Sequence, residues 1–157
     1  VIVRDFNQDG LPDVLAQLTQ GNEQISLFTN GGNFRFKINT LLRFPAVYGS
    51  SYFDIVDFNK DGHFDILYTS GDNADYSIIL KPYHGVRIFL NDGKNNFTES
   101  WFHYIPGCSW AVARDFDTDG DIDIAALSFF PDFNRAPEQS FIYFENQEGN
   151  LIPFTNP

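Results

Sequence analysis

Three features are scarce in this chain, and each scarcity excludes a class of protein. A single cysteine occurs among 157 residues, so no intrachain disulfide can form, and we expect Cys108 to be a small buried residue. Only 10 lysines and arginines accompany 21 acidic residues, which argues against a basic surface for nucleic acid. No apolar run approaches the ~20 residues of a membrane-spanning helix. The sequence therefore predicts no disulfide framework, no nucleic-acid partner and no transmembrane segment.

What the chain has instead is one acidic loop in three copies. The copies, named loop 1, loop 2 and loop 3, cover residues 5–13, 57–65 and 115–123, and each reads D-F-[ND]-x-D-G-x-x-D. Oxygen-bearing side chains occupy loop positions 1, 3, 5 and 9, and the glycine at position 6 permits a sharp turn. Because Ca²⁺ binds about six to eight oxygen ligands, the pattern predicts about three Ca²⁺ ions, one in each loop.

The net charge of the chain is concentrated in these loops. Eleven of the 21 acidic residues lie there, and the other ten equal the lysines and arginines in number, so the net charge of −11 equals the charge of the loop aspartates. Carboxylates packed this closely repel one another, and three Ca²⁺ ions would bring the total to about −5. The alternative is an acidic, solvated turn that binds no metal.

The residues after each loop exclude a helical calcium motif. An EF-hand loop needs a glutamate at position 12, followed by a helix, whereas position 12 here is Ala16, Tyr68 or Ala126. Short apolar runs, rich in β-branched and aromatic residues, stand before and after each loop, which predicts a strand on both sides. The aspartate at position 9 must then supply the last carboxylate.

The spacing of the loops predicts a repeat protein. The loops begin at residues 5, 57 and 115, and repeats of roughly 40–50 residues with several strands each are typical of β-propeller blades. A second strand pair follows in each repeat, with turns at 30–33, 91–94 and 146–149 whose Asn and Gly residues suit positive φ angles. In the first repeat the strand after the turn is expected at 34–36.

We therefore expect an all-β chain of three four-stranded antiparallel blades. The blades are predicted at about residues 1–49, 50–107 and 108–157, as a single propeller segment with a calcium loop between the first two strands of each blade. Three blades are too few to close a ring, which typically has about four to eight. The chain is thus expected to be part of a longer multi-blade chain or of an assembly, and a homodimer would complete a six-blade ring.

The loops, their spacing and the Asn/Gly hairpin turns resemble the FG-GAP/VCBS repeats, which include the calcium-binding blades of integrin α-chain propellers. The literal Phe-Gly and Gly-Ala-Pro signatures are missing, so the chain is more similar to the bacterial VCBS type. The resemblance implies metal ligands at loop positions 1, 3, 5 and 9 and at the backbone carbonyl of position 7. The implied ligands are Asp5, Asn7, Asp9, Leu11 and Asp13 in loop 1; Asp57, Asn59, Asp61, His63 and Asp65 in loop 2; and Asp115, Asp117, Asp119, Asp121 and Asp123 in loop 3.

Two inserts, at about residues 70–85 and 129–139, separate the strand pairs of the second and third repeats. Long loops on a rigid scaffold commonly carry binding surfaces. Asp72, Asp75 and His84 are candidates for a ligand site or a further metal site, with a solvated loop as the alternative. Trp101 is a candidate for stacking on a sugar, with packing between blades as the alternative.

The predicted function is a calcium-stabilised interaction module, and the sequence does not name its protein or glycan partner. Calcium loops suit calcium-rich compartments, which predicts an extracellular, cell-surface or periplasmic location. The start at Val1, without Met, is interpreted as a piece of a longer precursor. No G-x-S-x-G, H-E-x-x-H or P-loop motif occurs, so no catalytic residues and no enzyme are predicted. Two alternatives stay open: a carbohydrate-binding module or accessory domain of a carbohydrate-active enzyme, and a catalytic propeller whose residues lie partly outside this sequence.

Overall fold

The computed structural model describes residues 1–73 and 79–155, and this part of the chain is an all-β structure. Twelve described strands form three four-stranded antiparallel sheets, each made of strands that are consecutive in sequence. Two short 3-10 helices, Ala46–Tyr48 and Pro137–Ser140, lie outside the sheets. No helix among the described residues is long and apolar enough to cross a membrane. The all-β prediction, with four antiparallel strands in each repeat, is confirmed.

The strands have the following bounds. Sheet 1 contains β1 (Ile2–Arg4), β2 (Asp13–Leu18), β3 (Gln24–Asn30) and β4 (Phe36–Arg43). Sheet 2 contains β5 (Ser50–Val56), β6 (Asp65–Ser70), β7 (Gly85–Asn91) and β8 (Phe97–Tyr104). Sheet 3 contains β9 (Cys108–Arg114), β10 (Asp123–Ser128), β11 (Phe141–Gln147) and β12 (Asn150–Thr155). The chain divides into two compact units, Val1–Val47 with sheet 1 and Tyr48–Pro157 with sheets 2 and 3.

Two rows of cross-strand partners describe the two faces of each sheet. Directly paired residues lie on the same face, and the next residue along a strand lies on the other face. The row that contains the second residue after the acidic loop of the sheet is called the leading row. The row that contains the first residue after that loop is called the trailing row. The leading rows are Ile2–Leu15–Leu27–Asn39 in sheet 1, Asp54–Leu67–Ile88–Trp101 in sheet 2 and Val112–Ala125–Tyr143–Phe154 in sheet 3. The trailing rows are Val3–Val14–Phe28–Ile38, Ile55–Ile66–Phe89–Glu99 and Ala113–Ile124–Phe144–Pro153.

Sheets 2 and 3 pack together through one apolar core. Leu67 and Ile88 of the leading row of sheet 2 belong to the same buried cluster as Ile124 and Phe144 of the trailing row of sheet 3. Small alanines on β9 and β10 complete the surface of sheet 3 in this cluster, and their small side chains allow the sheets to approach closely. The core of this unit is therefore the contact between two β-sheets.

The leading row of sheet 3 has no equivalent cover within the described residues of its unit. The ring of Phe154 keeps 48% of its surface exposed, and Trp110, Leu127 and Phe141 on the same face are 40–45% exposed. Exposed apolar side chains grouped on one face often mark a surface that contacts another molecule. In the first unit, Val3 and Ile38 at the two ends of the trailing row of sheet 1 are also largely exposed.

The first hairpin turn corrects one prediction. The strand expected at 34–36 begins only at Phe36, and Phe34 lies in the turn with a positive φ of 59° and a fully exposed side chain. Hydrogen bonds from Gly31 N to Arg35 O and from Arg35 N to Gly32 O close the turn over these residues. The apolar side chain of Phe34 suggested a strand, but the backbone bonds of the turn determine its conformation.

Candidate metal-binding loops

Each acidic loop connects the first two strands of its sheet. Loop 1 joins β1 to β2, loop 2 joins β5 to β6, and loop 3 joins β9 to β10. The residue before each loop is the cross-strand partner of the loop's last aspartate, as in the pair Val56 and Asp65. The strand ladder therefore fixes the two ends of every loop side by side, which holds the nine residues in a closed turn.

Oxygen side chains inside each loop accept hydrogen bonds from the loop's own backbone. The carboxylate at position 1 accepts one from the glycine N–H at position 6, at 2.8, 2.9 and 3.1 Å in loops 1, 2 and 3. Position 3 accepts from the N–H of position 5, and position 5 accepts from the N–H of position 7. The side chains at positions 1, 3 and 5 are thus turned toward the interior of the loop in all three repeats.

Two loop positions have left-handed backbone angles. The glycine at position 6 has φ of 87°, 88° and 98°, as the sequence predicts. Position 4 shares this region although it is never glycine: φ is 61° at Gln8, 59° at Lys60 and 67° at Thr118. A positive φ is uncommon for residues with a Cβ, and nothing in the sequence pattern marked this position. The consistency of these angles gives the three loops the same backbone path.

The aspartate at position 9 is fully buried in every repeat. Its Oδ2 accepts a hydrogen bond from the N–H of the phenylalanine at position 2, and its Oδ1 accepts one from a backbone N–H in the hairpin turn of the same sheet. The paired donors are Phe6 and Asn30 for Asp13, Phe58 and Asn91 for Asp65, and Phe116 and Asn146 for Asp123. Each buried carboxylate therefore ties its loop to the turn between the third and fourth strands.

The hairpin asparagines were missed as site residues. The turns were expected to use Asn and Gly for positive φ, and they do so at Asn33, Gly32, Gly93 and Gly149. The first asparagines of the turns, Asn30, Asn91 and Asn146, are absent from the left-handed region. Their side-chain amides instead donate to the carbonyl of loop position 8 at 3.1–3.2 Å, and their Oδ1 atoms accept from a glycine N–H of the turn. The recurrence of Asn at the start of each turn was the available signal.

Loop 3 brings three carboxylates together most closely. One oxygen each from Asp115, Asp117 and Asp123 lies within 4.8 Å of the others. In loops 1 and 2, position 3 is an asparagine whose amide donates to the aspartate at position 5, at 2.8 and 2.9 Å. In loop 3 that donor is replaced by the carboxylate of Asp117. Loop 3 is therefore the most negative of the three.

The electrostatics of Asp117 reflect this crowding. The backbone N–H of Asp119 stabilises its carboxylate, but burial and the negative charges of Asp119, Asp123 and Asp115 together outweigh that bond and raise the pKa of Asp117. The candidate metal ligands of the loops are carboxylate, amide and carbonyl oxygens, which suit a hard divalent cation such as Ca²⁺. In loop 3 the cluster of Asp115, Asp117 and Asp123 could hold such an ion.

Two ion pairs cross between sheets 2 and 3 near these loops. The Nζ atom of Lys60, at position 4 of loop 2, is 2.6 Å from Oδ1 of Asp121, at position 7 of loop 3. This hydrogen bond raises the pKa of Lys60 and lowers the pKa of Asp121. Arg114, the residue before loop 3, pairs with the largely buried Asp54 of β5 at 3.0 Å. Loops 2 and 3 are thus linked through side chains as well as through the core.

The structure describes three of the four candidate ligand residues of the sequence analysis, namely Asp72, His84 and Trp101. Asp75 lies outside the described residues. His84 is fully buried, and desolvation, with a smaller contribution from the charge of Lys81, lowers its pKa to about 4. Asp72 is half-buried, and its carboxylate opposes that shift. Because His84 is buried, its imidazole is kept away from any ligand at the surface.

Trp101 lies in the contact between sheets 2 and 3. Its ring meets Phe144 edge-on at a centroid distance of 5.2 Å and stacks on His103 at 5.9 Å. One part of the half-buried indole lines a cleft of about 270 Å³ together with Asn59, Ser100 and Leu151. Trp101 therefore packs between sheets and also borders a small cleft.

Comparison with known proteins gives one family match, which covers part of the chain. Residues 5–68 match the family model described as an FG-GAP-like repeat, a segment that runs from loop 1 through sheet 1 and loop 2 into β6. The comparisons give no significant match to a curated protein or to a solved structure. The greater similarity of the chain to the bacterial VCBS type stays a prediction.

Proposed function

We propose that this chain, whose residues 5–68 belong to the FG-GAP-like repeat family, is a calcium-binding interaction module built as a β-propeller segment. One observation carries the proposal: the same arrangement of oxygen side chains, glycine turn and buried position-9 aspartate recurs in all three sheets. FG-GAP-like repeats are typical of extracellular proteins, so the module is assigned to a secreted or cell-envelope protein.

Calcium in this proposal has a structural role. In loop 3 the ion would be held by the side chains of Asp115, Asp117, Asp119 and Asp123 and by the carbonyl of Asp121, with the equivalent positions in loops 1 and 2. The bound cation would neutralise the crowded carboxylates, which repel one another without it. Because position 9 is hydrogen-bonded to the hairpin turn, an ordered loop would also hold that turn in place.

The packing of sheets 2 and 3 supports the blade arrangement. The leading row of sheet 2 covers the trailing row of sheet 3, and successive blades of a propeller pack in such a repeating manner. If the same relation continued, a further sheet would pack on the exposed leading row of sheet 3. We assign that position to the trailing row of sheet 1 in a second copy of the chain, where Val3 and Ile38 are exposed. A homodimer of this kind supplies six blades.

The module is proposed to act by binding and not by catalysis. Its contact surface for a partner is assigned to the inserts that follow β6 and β10, since such loops tolerate variation on a fixed scaffold. Asp72 is the candidate residue in the described part of the first insert, and its half-burial leaves part of the side chain accessible.

Thermal unfolding with and without calcium tests the structural role. The melting temperature of the wild-type protein should rise between EDTA and millimolar Ca²⁺, because a cation that binds only the folded state stabilises it by mass action. Asp119→Ala removes one proposed ligand from loop 3 and should reduce that rise, while Asp92→Ala in the β7–β8 turn, outside all three loops, should keep it. A wild-type melting temperature that does not respond to Ca²⁺ would overturn the proposal.

A second candidate function is glycan binding, favoured by the position of Trp101 in the cleft between sheets 2 and 3. An indole beside amide and hydroxyl groups suits the apolar face and the hydroxyls of a sugar ring. A glycan array gives the test: saturable binding that Trp101→Phe weakens would support it. An array without any bound glycan would contradict it.

A further inference from the structure

Position 4 of loop 2 carries the one charged side chain at that position of the three loops. The equivalent residues are Gln8 in loop 1 and Thr118 in loop 3, and all three share the same left-handed backbone angle. The backbone therefore does not explain the lysine. Its Nζ atom instead donates a hydrogen bond to Oδ1 of Asp121 in the neighbouring loop, at 2.6 Å.

The neighbouring loop is also the one with excess negative charge. Loop 3 contains five aspartates, whereas loops 1 and 2 contain three each. The negative charges of Asp119 and Asp115 also attract the Lys60 ammonium group, in addition to its bond with Asp121. Asp119 and Asp115 are proposed metal ligands, while the Asp121 side chain is not, because position 7 contributes its carbonyl. The lysine thus compensates charge at a loop to which it does not belong.

From this geometry we propose that Lys60 is a countercharge that loop 2 supplies to loop 3, and that it lowers the Ca²⁺ affinity of loop 3 from outside that loop. The inference rests on the proposed function, since it concerns the affinity of the same loops. A fixed positive charge beside a cation site opposes binding of the cation. It also stabilises the empty loop, because it offsets the repulsion among the aspartates. Loop 3 would therefore bind Ca²⁺ with an affinity that depends on its contact with the preceding blade.

The expected effect is measurable and has a definite sign. Lys60→Gln should tighten Ca²⁺ binding to loop 3 by roughly three- to tenfold at low salt, as expected for removal of one exposed charge several ångströms from a divalent ion. Asp121→Asn should weaken binding there, because the lysine then remains without its partner carboxylate. The difference between wild type and Lys60→Gln should shrink at 0.5 M KCl, since screening weakens interactions between exposed charges.

The position-6 glycines allow each loop to be followed separately. The N–H groups of Gly10, Gly62 and Gly120 donate to the first carboxylate of their own loops, so their amide resonances should respond to Ca²⁺ in that loop. A Ca²⁺ titration followed by ¹H–¹⁵N NMR then gives one affinity per loop. Lys60→Arg keeps the charge and should bind like wild type. Lys94→Gln, in the β7–β8 turn, removes the same charge elsewhere and is the matched control.

The titration separates failure of this inference from failure of the proposed function. Lys60→Gln should tighten the Ca²⁺ response of Gly120 and leave that of Gly10 unchanged. If the wild-type glycines respond but the Gly120 affinity is the same in Lys60→Gln, or changes equally in Lys94→Gln, the inference is wrong and the proposed function stands. If no glycine of the wild-type protein responds to Ca²⁺, both are wrong.

Discussion

The buried carboxylate of Asp65 joins loop 2 to the β7–β8 turn, because its Oδ1 accepts a hydrogen bond of 2.8 Å from the backbone N–H of Asn91. Its Oδ2 accepts a second bond of 2.8 Å from the N–H of Phe58 inside the loop. The same two bonds occur at Asp13 and Asp123. The last aspartate of the loop is therefore a structural residue of the sheet even before any metal is considered.

Asp65→Ala should destabilise the protein in EDTA, where metal binding plays no part. The substitution leaves two backbone N–H groups without their acceptor, and each buried unsatisfied group costs about 1–3 kcal/mol. We expect the free energy of unfolding to fall by roughly 2–4 kcal/mol in urea titrations. Asp61→Ala, an exposed aspartate of the same loop, is the control and should cost far less. Equal losses for the two variants would contradict a structural role for position 9.

The burial of His84 predicts a loss of stability in acid. Its pKa falls from 6.5 to about 4 on folding, so between these values the unfolded chain is protonated at this residue while the folded chain is not. The unfolded state therefore gains protons first, and stability decreases as the pH drops from 6.5 toward 4, by about 3 kcal/mol in total. Lys81, Asp72 and Arg87 are the charged groups that act on the ring.

Urea unfolding at a series of pH values, compared between wild type and His84→Gln, isolates this contribution. His103 also has a lowered pKa from burial, but it is present in both proteins and cancels in the comparison. The difference in unfolding free energy between the two proteins should become smaller as the pH falls from 6.5 toward 4. A difference that stays constant from pH 7 to pH 4 would show that His84 does not titrate as described.

Cys108 should be unreactive in the folded protein. It is fully buried at the start of β9, and burial raises the pKa of its thiol to about 12. Because the thiolate is the reactive species, a thiol reagent such as DTNB should modify Cys108 only after denaturation, at a rate set by unfolding. Rapid modification of the native protein at pH 8 would place the residue at the surface and contradict the packing of β9 against sheet 2.

The exposed leading row of sheet 3 gives a prediction about association. Phe154→Glu places a charge on the exposed face that we assign to a second copy, so the solution mass by light scattering should change from two chains to one. Phe34→Glu adds the same charge at an exposed turn and should leave the mass unchanged. A wild-type protein of one-chain mass over the accessible concentration range would exclude the homodimer.

Local features of the fold could be predicted from sequence, and long-range contacts could not. The apolar runs around loop 2 indicated β5 and β6, and the glycine at Gly62 indicated a positive φ, because both depend on neighbouring residues. The bond between Asp65 and Asn91 spans 26 residues, and the pair of Lys60 and Asp121 spans 61. No local sequence pattern indicates which residues so far apart in the sequence will be in contact.

Two residues show how tertiary context changed the interpretation. His84 was a candidate ligand residue because it lies in a polar insert, but the chain buries it next to the first strand residues of β7. Phe34 suggested a strand because it is aromatic, but the hydrogen bonds of the turn place it in solvent. In both cases the residue type was a weaker determinant than the path of the backbone around it.

Calcium stoichiometry measured by isothermal titration calorimetry tests the central claim most directly. Protein stripped of metal by chelation and titrated with CaCl₂ should bind about three Ca²⁺ ions per chain, one for each oxygen-rich loop, and a triple variant with Asp9, Asp61 and Asp119 each changed to alanine should lose most of this binding. Absence of heat and of saturable binding in the wild-type protein, at millimolar Ca²⁺, would contradict the account.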